Sequence, residues 1–247
     1  MKKSLILLCV VVSIFLCLCF INYLGNRKSY VVFNDKSIIQ ISGKKYKFVD
    51  FKDKYLANKK FDVYDYNKYL GKYNIKFYDD RYKVFLKKEV VKFNSAFIGI
   101  YSKKNKVKLN TNSIEELNIS EKLFLNRVLS DNNIQFNGDL TVNEKHSING
   151  KDGYYLYNVS FDSAMGNTND LFSIVYISNL EDYSIIESSF VDNSHYNELV
   201  SYNIDAVIDL DGDSNDEIVI SDLMFSQSGN SLKKIYKLNG NKYILSK

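Results

Sequence analysis

The chain has 247 residues, 45% hydrophobic and 25% charged, with 33 lysines and arginines against 29 aspartates and glutamates for a net charge of +4. This length and apolar content allow one large or two small packed domains and exclude a wholly disordered chain. All three cysteines (Cys9, Cys17, Cys19) lie near the start, which excludes thiol catalysis, cysteine metal sites and disulfides from the rest, and the chain has no tryptophan or proline.

Met1-Lys2-Lys3-Ser4 precedes an uncharged run from Leu5 to Leu24, which as a helix rising about 1.5 Å per residue spans about 30 Å, one bilayer. A cleaved signal peptide would show a shorter apolar stretch and a small-x-small site, whereas this run ends in Cys19-Phe20-Ile21-Asn22-Tyr23-Leu24-Gly25. A lipidated cysteine would follow a small residue, but Leu16 and Leu18 precede Cys17 and Cys19. Residues 1–24 are therefore expected to be a retained single-pass signal anchor. Lys2 and Lys3 before the span nearly cancel Arg27 and Lys28 after it, and the short basic N-terminus with its long C-terminal body favours an extracytoplasmic body.

Residues 25–110 carry 22 basic against 8 acidic side chains, net +14, and residues 111–247 carry 9 against 21, net −12. Two readings of this segregation stand. Opposite charge helps the halves dock on each other, or the basic half lies against an anionic bilayer or wall polymer beside the anchor, each lysine or arginine at the surface adding about 1 kcal/mol. Lysines interleaved with aromatics, as in Lys44-Lys45-Tyr46-Lys47-Phe48, suit nucleic acid in other settings. Here strand alternation, with Tyr46 and Phe48 on one face and Lys45 and Lys47 on the other, accounts for the pattern, and no nucleic-acid partner is expected.

The basic half reads as short antiparallel strands at 30–33, 37–41, 45–51, 74–78, 82–86, 96–101 and 107–109, with turns at Ser42-Gly43, Asp79-Asp80-Arg81 and Lys103-Lys104-Asn105. Residues 65–71 fit a helical turn or a loop. At the charge boundary the period lengthens. Ser113-Ile114-Glu115-Glu116 offers a capping box, and Leu117, Leu123, Phe124, Val128 and Leu129 recur at helical spacing, predicting one connecting or capping helix within 113–129. Residues 138–150 are polar enough for a loop or irregular hairpin. Strands resume at 154–161, 171–178, 183–191, 199–210, 218–225, 233–238 and 242–245, and Asn239-Gly240 predicts a type I′ turn. The fold class expected is mainly β (α+β), an antiparallel β-rich body behind the anchor.

One motif carries chemistry. Asp209-Leu210-Asp211-Gly212-Asp213-Ser214-Asn215-Asp216-Glu217 places acids at positions 1, 3, 5 and 9, with Asn215 at 7 offering a main-chain carbonyl. A Ca²⁺ ion takes 6 to 8 oxygens at about 2.3–2.6 Å, and alternate residues of a tight loop can aim oxygens at one centre. Position 12 is Ile220 rather than glutamate and the flanks Ala206-Val207-Ile208 and Ile218-Val219-Ile220 read as strands, so this is no EF-hand. Over residues 209–245 the chain resembles the calcium-loop hairpin of FG-GAP and VCBS-type repeats, the blades of integrin-α-like propellers. The resemblance implies Asp209, Asp211, Asp213, Asn215 (through its main chain) and Glu217 as ligands of a structural Ca²⁺. The chain departs from that pattern at Ser214, where glycine usually supplies positive φ, and in having a single such loop. The competing reading is a solvated acidic turn whose aspartates bond neighbouring amides.

No P-loop, dinucleotide fingerprint, Gly-x-Ser-x-Gly or His-Glu-x-x-His occurs, and His146 and His195 sit in polar segments that suit surface positions. The function expected is that of a non-enzymatic, membrane-anchored extracytoplasmic binding or envelope-associated module. The alternatives are an anchored envelope hydrolase, built from distant residues such as Asp79-Asp80 or Glu115-Glu116, and a cytoplasm-facing partner of a membrane complex.

Overall fold

The alternation of apolar and polar residues along the basic half is realised as a sheet. The computed structural model describes residues 12–14, 28–65, 68–78, 81–86, 89–91, 97–102, 107–114, 116–162, 170–224 and 232–246. The chain divides into two compact units, Met1–Val107 and Lys108–Lys247, close to the charge boundary at Asn110. Of the run expected to cross a membrane, residues 12–14 are described and helical; the remainder of 5–24 lies outside the described residues, among which no helix is long and apolar enough to cross a membrane.

The first unit contains β1 (Ser29–Phe33), β2 (Ile38–Ser42), β3 (Lys45–Val49), β4 (Phe61–Asp65), β5 (Lys68–Tyr78), β6 (Arg81–Leu86), β7 (Glu89–Val91) and β8 (Phe97–Tyr101). They form one antiparallel sheet in the order β3-β2-β1-β8-β4-β5-β6-β7. One face gathers Tyr30, Val32, Ile38, Phe61, Val63 and Phe97 into a core, joined by Leu56. At β3 the lysines Lys45 and Lys47 are exposed while Tyr46 and Phe48 are half-buried, as alternation predicts, and an outermost strand bearing lysines resists pairing with other chains. The helical turn or loop expected at 65–71 is corrected: Lys68 to Gly71 belong to β5, which pairs with β4 across an irregularity between Val63 and Tyr64. Phe61 and Val63 point inward along β4, but the two aspartates beside them lower its apparent strand propensity.

Gly99 in β8 faces Val63 of β4 and Val32 of β1. A Cβ there would overlap Cδ1 of the buried Ile75 and touch Phe61. The variant Gly99→Ala is expected to lose about 1–3 kcal/mol by overpacking, read as a lower urea midpoint at unchanged slope. An unchanged midpoint would show that Ile75 finds another rotamer without strain.

The second unit contains β9 (Lys108–Leu109), β10 (Ser113–Ile114), α1 (Ile119–Asp131), β11 (Val142–Ser147), β12 (Tyr155–Phe161), β13 (Leu171–Ser178), β14 (Tyr183–Val191), β15 (Val200–Asp209), β16 (Glu217–Met224), β17 (Leu232–Asn239) and β18 (Lys242–Leu245). Two five-stranded sheets result, β10-β11-β12-β13-β14 and β18-β17-β16-β15-β9. The helix covers one face of the first sheet, where Phe124, Leu125, Val128 and Leu129 meet Tyr157, Val159, Phe172, Ile174 and Tyr176. The second sheet covers the other face, where Leu156, Val175 and Ile177 meet Ile204, Val207, Ile218, Ile220 and Tyr236. Every residue of β13 is buried, which is why its sequence is a near-continuous apolar run rather than an alternating one. At one margin of this packing Glu187 of β14 accepts bonds from Lys234 Nζ (2.7 Å) and from the Tyr236 hydroxyl of β17, fastening sheet to sheet. Burial first, and then the bond to Glu187, push the Tyr236 phenol far above its ordinary range.

The helix begins later than the sequence suggests. Ser113 and Ile114 pair with His146 and Lys145 as β10, and the capping box is Asn118-x-x-Glu121. Asn118 Oδ1 accepts from Glu121 N at 3.0 Å and Glu121 Oε2 accepts from Asn118 N at 2.8 Å. The polar stretch 138–150 contains β11, whose register against β12 buries His146 with Nε2 3.6 Å from Glu144 Oε2, correcting its expected surface position. The last hairpin also shifts by one residue. Asn239 pairs with Lys242, so the turn is Gly240-Asn241 with Gly240 at φ +61, the positive φ that a type II′ turn requires of its first central residue.

Candidate metal centre

β15 and β16 are buried β-branched strands, and their pairing of Ile208 with Glu217 closes the acidic loop between them. Gly212 and Ser214 both take left-handed backbone, at φ +77 and +72. Ser214 thus adopts a conformation that glycine takes freely and a residue with a Cβ only at a cost of about 1 kcal/mol. Side chains wind the loop. Asp209 accepts from Gly212 N at 2.7 Å and from Ser214 N at 3.1 Å, one oxygen each. Asp211 accepts from Asp213 N at 3.2 Å, Asp213 from Asn215 N at 2.9 Å and Glu217 from Leu210 N at 2.8 Å.

Of the five residues read from the sequence, the fold gathers Asp209, Asp211 and Glu217, with one carboxylate oxygen of each within 4.8 Å of the others. Asp213 stands at the exposed rim. Asn215 turns its side chain toward Gly150, at whose Cβ position its Oδ1 would collide, so the amide is directed at the backbone of another loop. A cleft of about 330 Å³ lined in part by Asn110, Asp209 and Ser214 opens beside the loop and gives solvent access to its flank.

Two residues that motif reading did not single out organise this site. Asp216, 1% exposed, is not one of the three converging acids: its Oδ2 accepts from Asn149 N (2.8 Å), Asn149 Nδ2 (3.0 Å) and Asn110 Nδ2 (2.9 Å). Its main chain is held too, Asp216 N donating to Asn149 O at 3.2 Å and Tyr243 Oη to Asp216 O at 3.0 Å. Lys237 of β17 places Nζ 2.6 Å from Asp211 Oδ2 and 3.8 Å from both Asp213 Oδ2 and Glu217 Oε1. Only the pairing of Ile218 with Tyr236 reveals that Glu217 and Lys237 are neighbours, because they are far apart in sequence.

Burial pushes the Glu217 carboxyl up to about 7, with the charges of Asp211 and Asp213 adding to the rise and the Leu210 N–H and Lys237 opposing it. For Asp213 burial also acts upward, but the Asn215 amides and Lys237 outweigh it and hold the carboxyl below its ordinary value. A concentration of negative charge that burial makes costly is what a hard cation relieves.

A second constellation has the residue types of a hydrolase but not the geometry. Asp192, Ser194 and His195 bond one another in an exposed turn, where both Asp192 Oδ1 (2.8 Å) and Ser194 Oγ (2.9 Å) meet the same ring nitrogen, Nδ1. A proton relay needs serine and aspartate on opposite nitrogens of the ring. Here the aspartate caps the turn, accepting from Ser194 N at 2.9 Å. No protein-family model, curated protein or solved structure matches this chain.

Proposed function

We propose that the chain is a membrane-anchored extracytoplasmic β-rich module that acts by binding rather than catalysis, and that its 209–217 loop holds a structural Ca²⁺ ion in the manner of FG-GAP and VCBS-type hairpins. The observation that carries the calcium reading is the convergence of Asp209, Asp211 and Glu217 oxygens on a loop whose sixth residue, Ser214, has the left-handed backbone such loops use. The donors suit the ion: carboxylates are hard oxygen ligands, each still has lone pairs beyond its amide bonds, and the adjoining cleft admits waters to complete a shell of 6 to 8 oxygens. Bound there, Ca²⁺ would supply charge neutralisation and cross-link both ends of the loop, with Asp209, Asp211 and Glu217 holding it and Asp213 and Asn215 at its margin. The anchor rests on the uncharged run of residues 5–24, and the basic half beside it suits an anionic lipid or wall polymer.

The test is a thermal melt of the full-length chain in detergent, with calcium or with chelator, beside Asp211→Ala. At 100 times its dissociation constant, calcium is expected to add about 2.7 kcal/mol to wild type and nothing to the variant. Identical melts of wild type in calcium and chelator would reduce the loop to an acidic turn.

A further inference from the structure

Beside α1, between the helix and the segment that leads from it into β11, runs a groove of about 410 Å³, inside the size range of small-ligand sites. Its apolar lining is Leu125, 2% exposed, the half-buried Leu140, and Phe136, whose ring is fixed against Phe161 and Phe172 with centroids 5.0 and 5.2 Å away. Its polar lining is the carboxylates of Glu116 and Asp139, the amides of Asn126 and Asn143 and the Lys122 ammonium. Glu116, Lys122, Asn126 and Asp139 are exposed, and no hydrogen bond or ion pair to a described residue engages their side chains. Bonds outside the groove hold its walls. Ile134 N donates to Leu129 O at 3.0 Å, Gln135 N to Asp170 Oδ2 at 3.0 Å, and Thr141 N to Ser160 O at 2.8 Å. Leu117 N donates to Asn143 Oδ1 at 3.2 Å, which leaves the N–H groups of that amide to a ligand. A groove fastened in this way binds without first having to be ordered.

We infer that this groove binds a neutral oligosaccharide, with the C–H faces of the sugar on Phe136, Leu125 and Leu140 and its hydroxyls on Glu116, Asn126, Asp139 and Asn143. Each sugar hydroxyl both donates and accepts, and a rim that mixes carboxylate acceptors with amides, which do both, can engage neighbouring hydroxyls of one ring in pairs. The C–H faces of the ring leave water for the apolar lining. Two carboxylates against one ammonium give the groove one net negative charge, which disfavours a polyanion and sets this site apart from the basic half. A peptide backbone brings one donor and one acceptor per residue, a sparser match to the same rim. The inference goes beyond the anchor and calcium readings and depends on neither, since no residue of the groove belongs to 5–24 or 209–217.

Saturation-transfer NMR on the full-length chain, in a detergent without a sugar headgroup, tests this with chitotriose, cellotriose and maltotriose as probes and trialanine as the competing class. At least one trisaccharide is expected to receive saturation. Asn126→Ala and Asp139→Ala, both at exposed positions, are each expected to weaken its binding by about twofold to tenfold, the worth of one net hydrogen bond, at an unchanged urea midpoint. Transfer to none of the three sugars would overturn the inference, and so would sugar binding that both variants leave unchanged. Transfer to trialanine alone would make the groove a peptide site and overturn the sugar assignment. The calcium melt is read separately, so either result can fail while the other stands.

Discussion

Glu121→Ala is expected to destabilise the second unit by about 3–5 kcal/mol, lowering its melting temperature by about 10 °C. Glu121 has two roles. Its backbone N–H and carboxylate complete the capping box with Asn118, and the other carboxylate oxygen pairs with Lys145 Nζ and accepts from Tyr157 Oη at 3.3 Å. The pair is buried, with side chains 3% and 12% exposed, so removing the acid strands an ammonium against the helix and leaves three donors without their acceptor. Burial alone would raise the Glu121 carboxyl, but the bonds from Lys145, the Asn118 N–H and Tyr157 outweigh it and hold it below its ordinary value. The sign of the pH dependence follows. A carboxyl depressed in the folded state stabilises the fold above its unfolded range, near pH 4.3, and that contribution disappears as pH falls through the folded value. Urea unfolding should therefore show the gap between wild type and Glu121→Ala closing on acidification. A gap that persists unchanged to acid would assign the loss to packing rather than charge. Glu121→Leu combined with Lys145→Met should recover the part of the loss that comes from the stranded ammonium, while the Asn118 N–H and the Tyr157 hydroxyl still lack the acceptor that Glu121 gave them.

The second large effect is expected at Asp216, the acid of the loop that is bonded to Asn110 and Asn149. Asp216→Ala removes the acceptor of three N–H groups from Asn110 and Asn149, and a loss of about 2–4 kcal/mol is expected by urea unfolding, tempered by hydration of the released amides. The exposed Asp213→Ala should stay within about 0.5 kcal/mol in chelator, the usual range of a surface change. Equal losses at the two positions would refute the division of the loop into a fastening acid and cation-facing acids.

Much of the architecture was legible because it is written in apolar periodicity. β13 and β14 coincide with the predicted 171–178 and 183–191, the first ending and the second beginning at the Asn179 to Asp182 turn. The errors cluster where a local signal has two uses. Ser113-x-x-Glu116 and Asn118-x-x-Glu121 are both acceptable capping boxes, and the choice falls to the second because Ser113 and Ile114 are needed to pair with β11. β11 itself reads Val-Asn-Glu-Lys-His-Ser, with nothing but its register against β12 to make it a strand. The acidic loop was legible as spacing alone. Which acids converge is decided by the strand ends at Asp209 and Glu217, and the participation of Lys237 by a pairing between distant segments, neither of which spacing encodes.

The burial of β12 and β13 from both sides has a consequence for how the second unit comes apart. A sheet with one wet face can shed a covering layer and remain a sheet. This one has no wet face at its centre: Tyr157, Ile174 and Tyr176 lie beneath the helix while Leu156, Val175 and Ile177 lie beneath the other sheet. Departure of either cover would open to water aromatic and branched side chains that nothing else shields, so helix and both sheets melt as one cooperative block, and a defect at the helix cap is felt at the far hairpin.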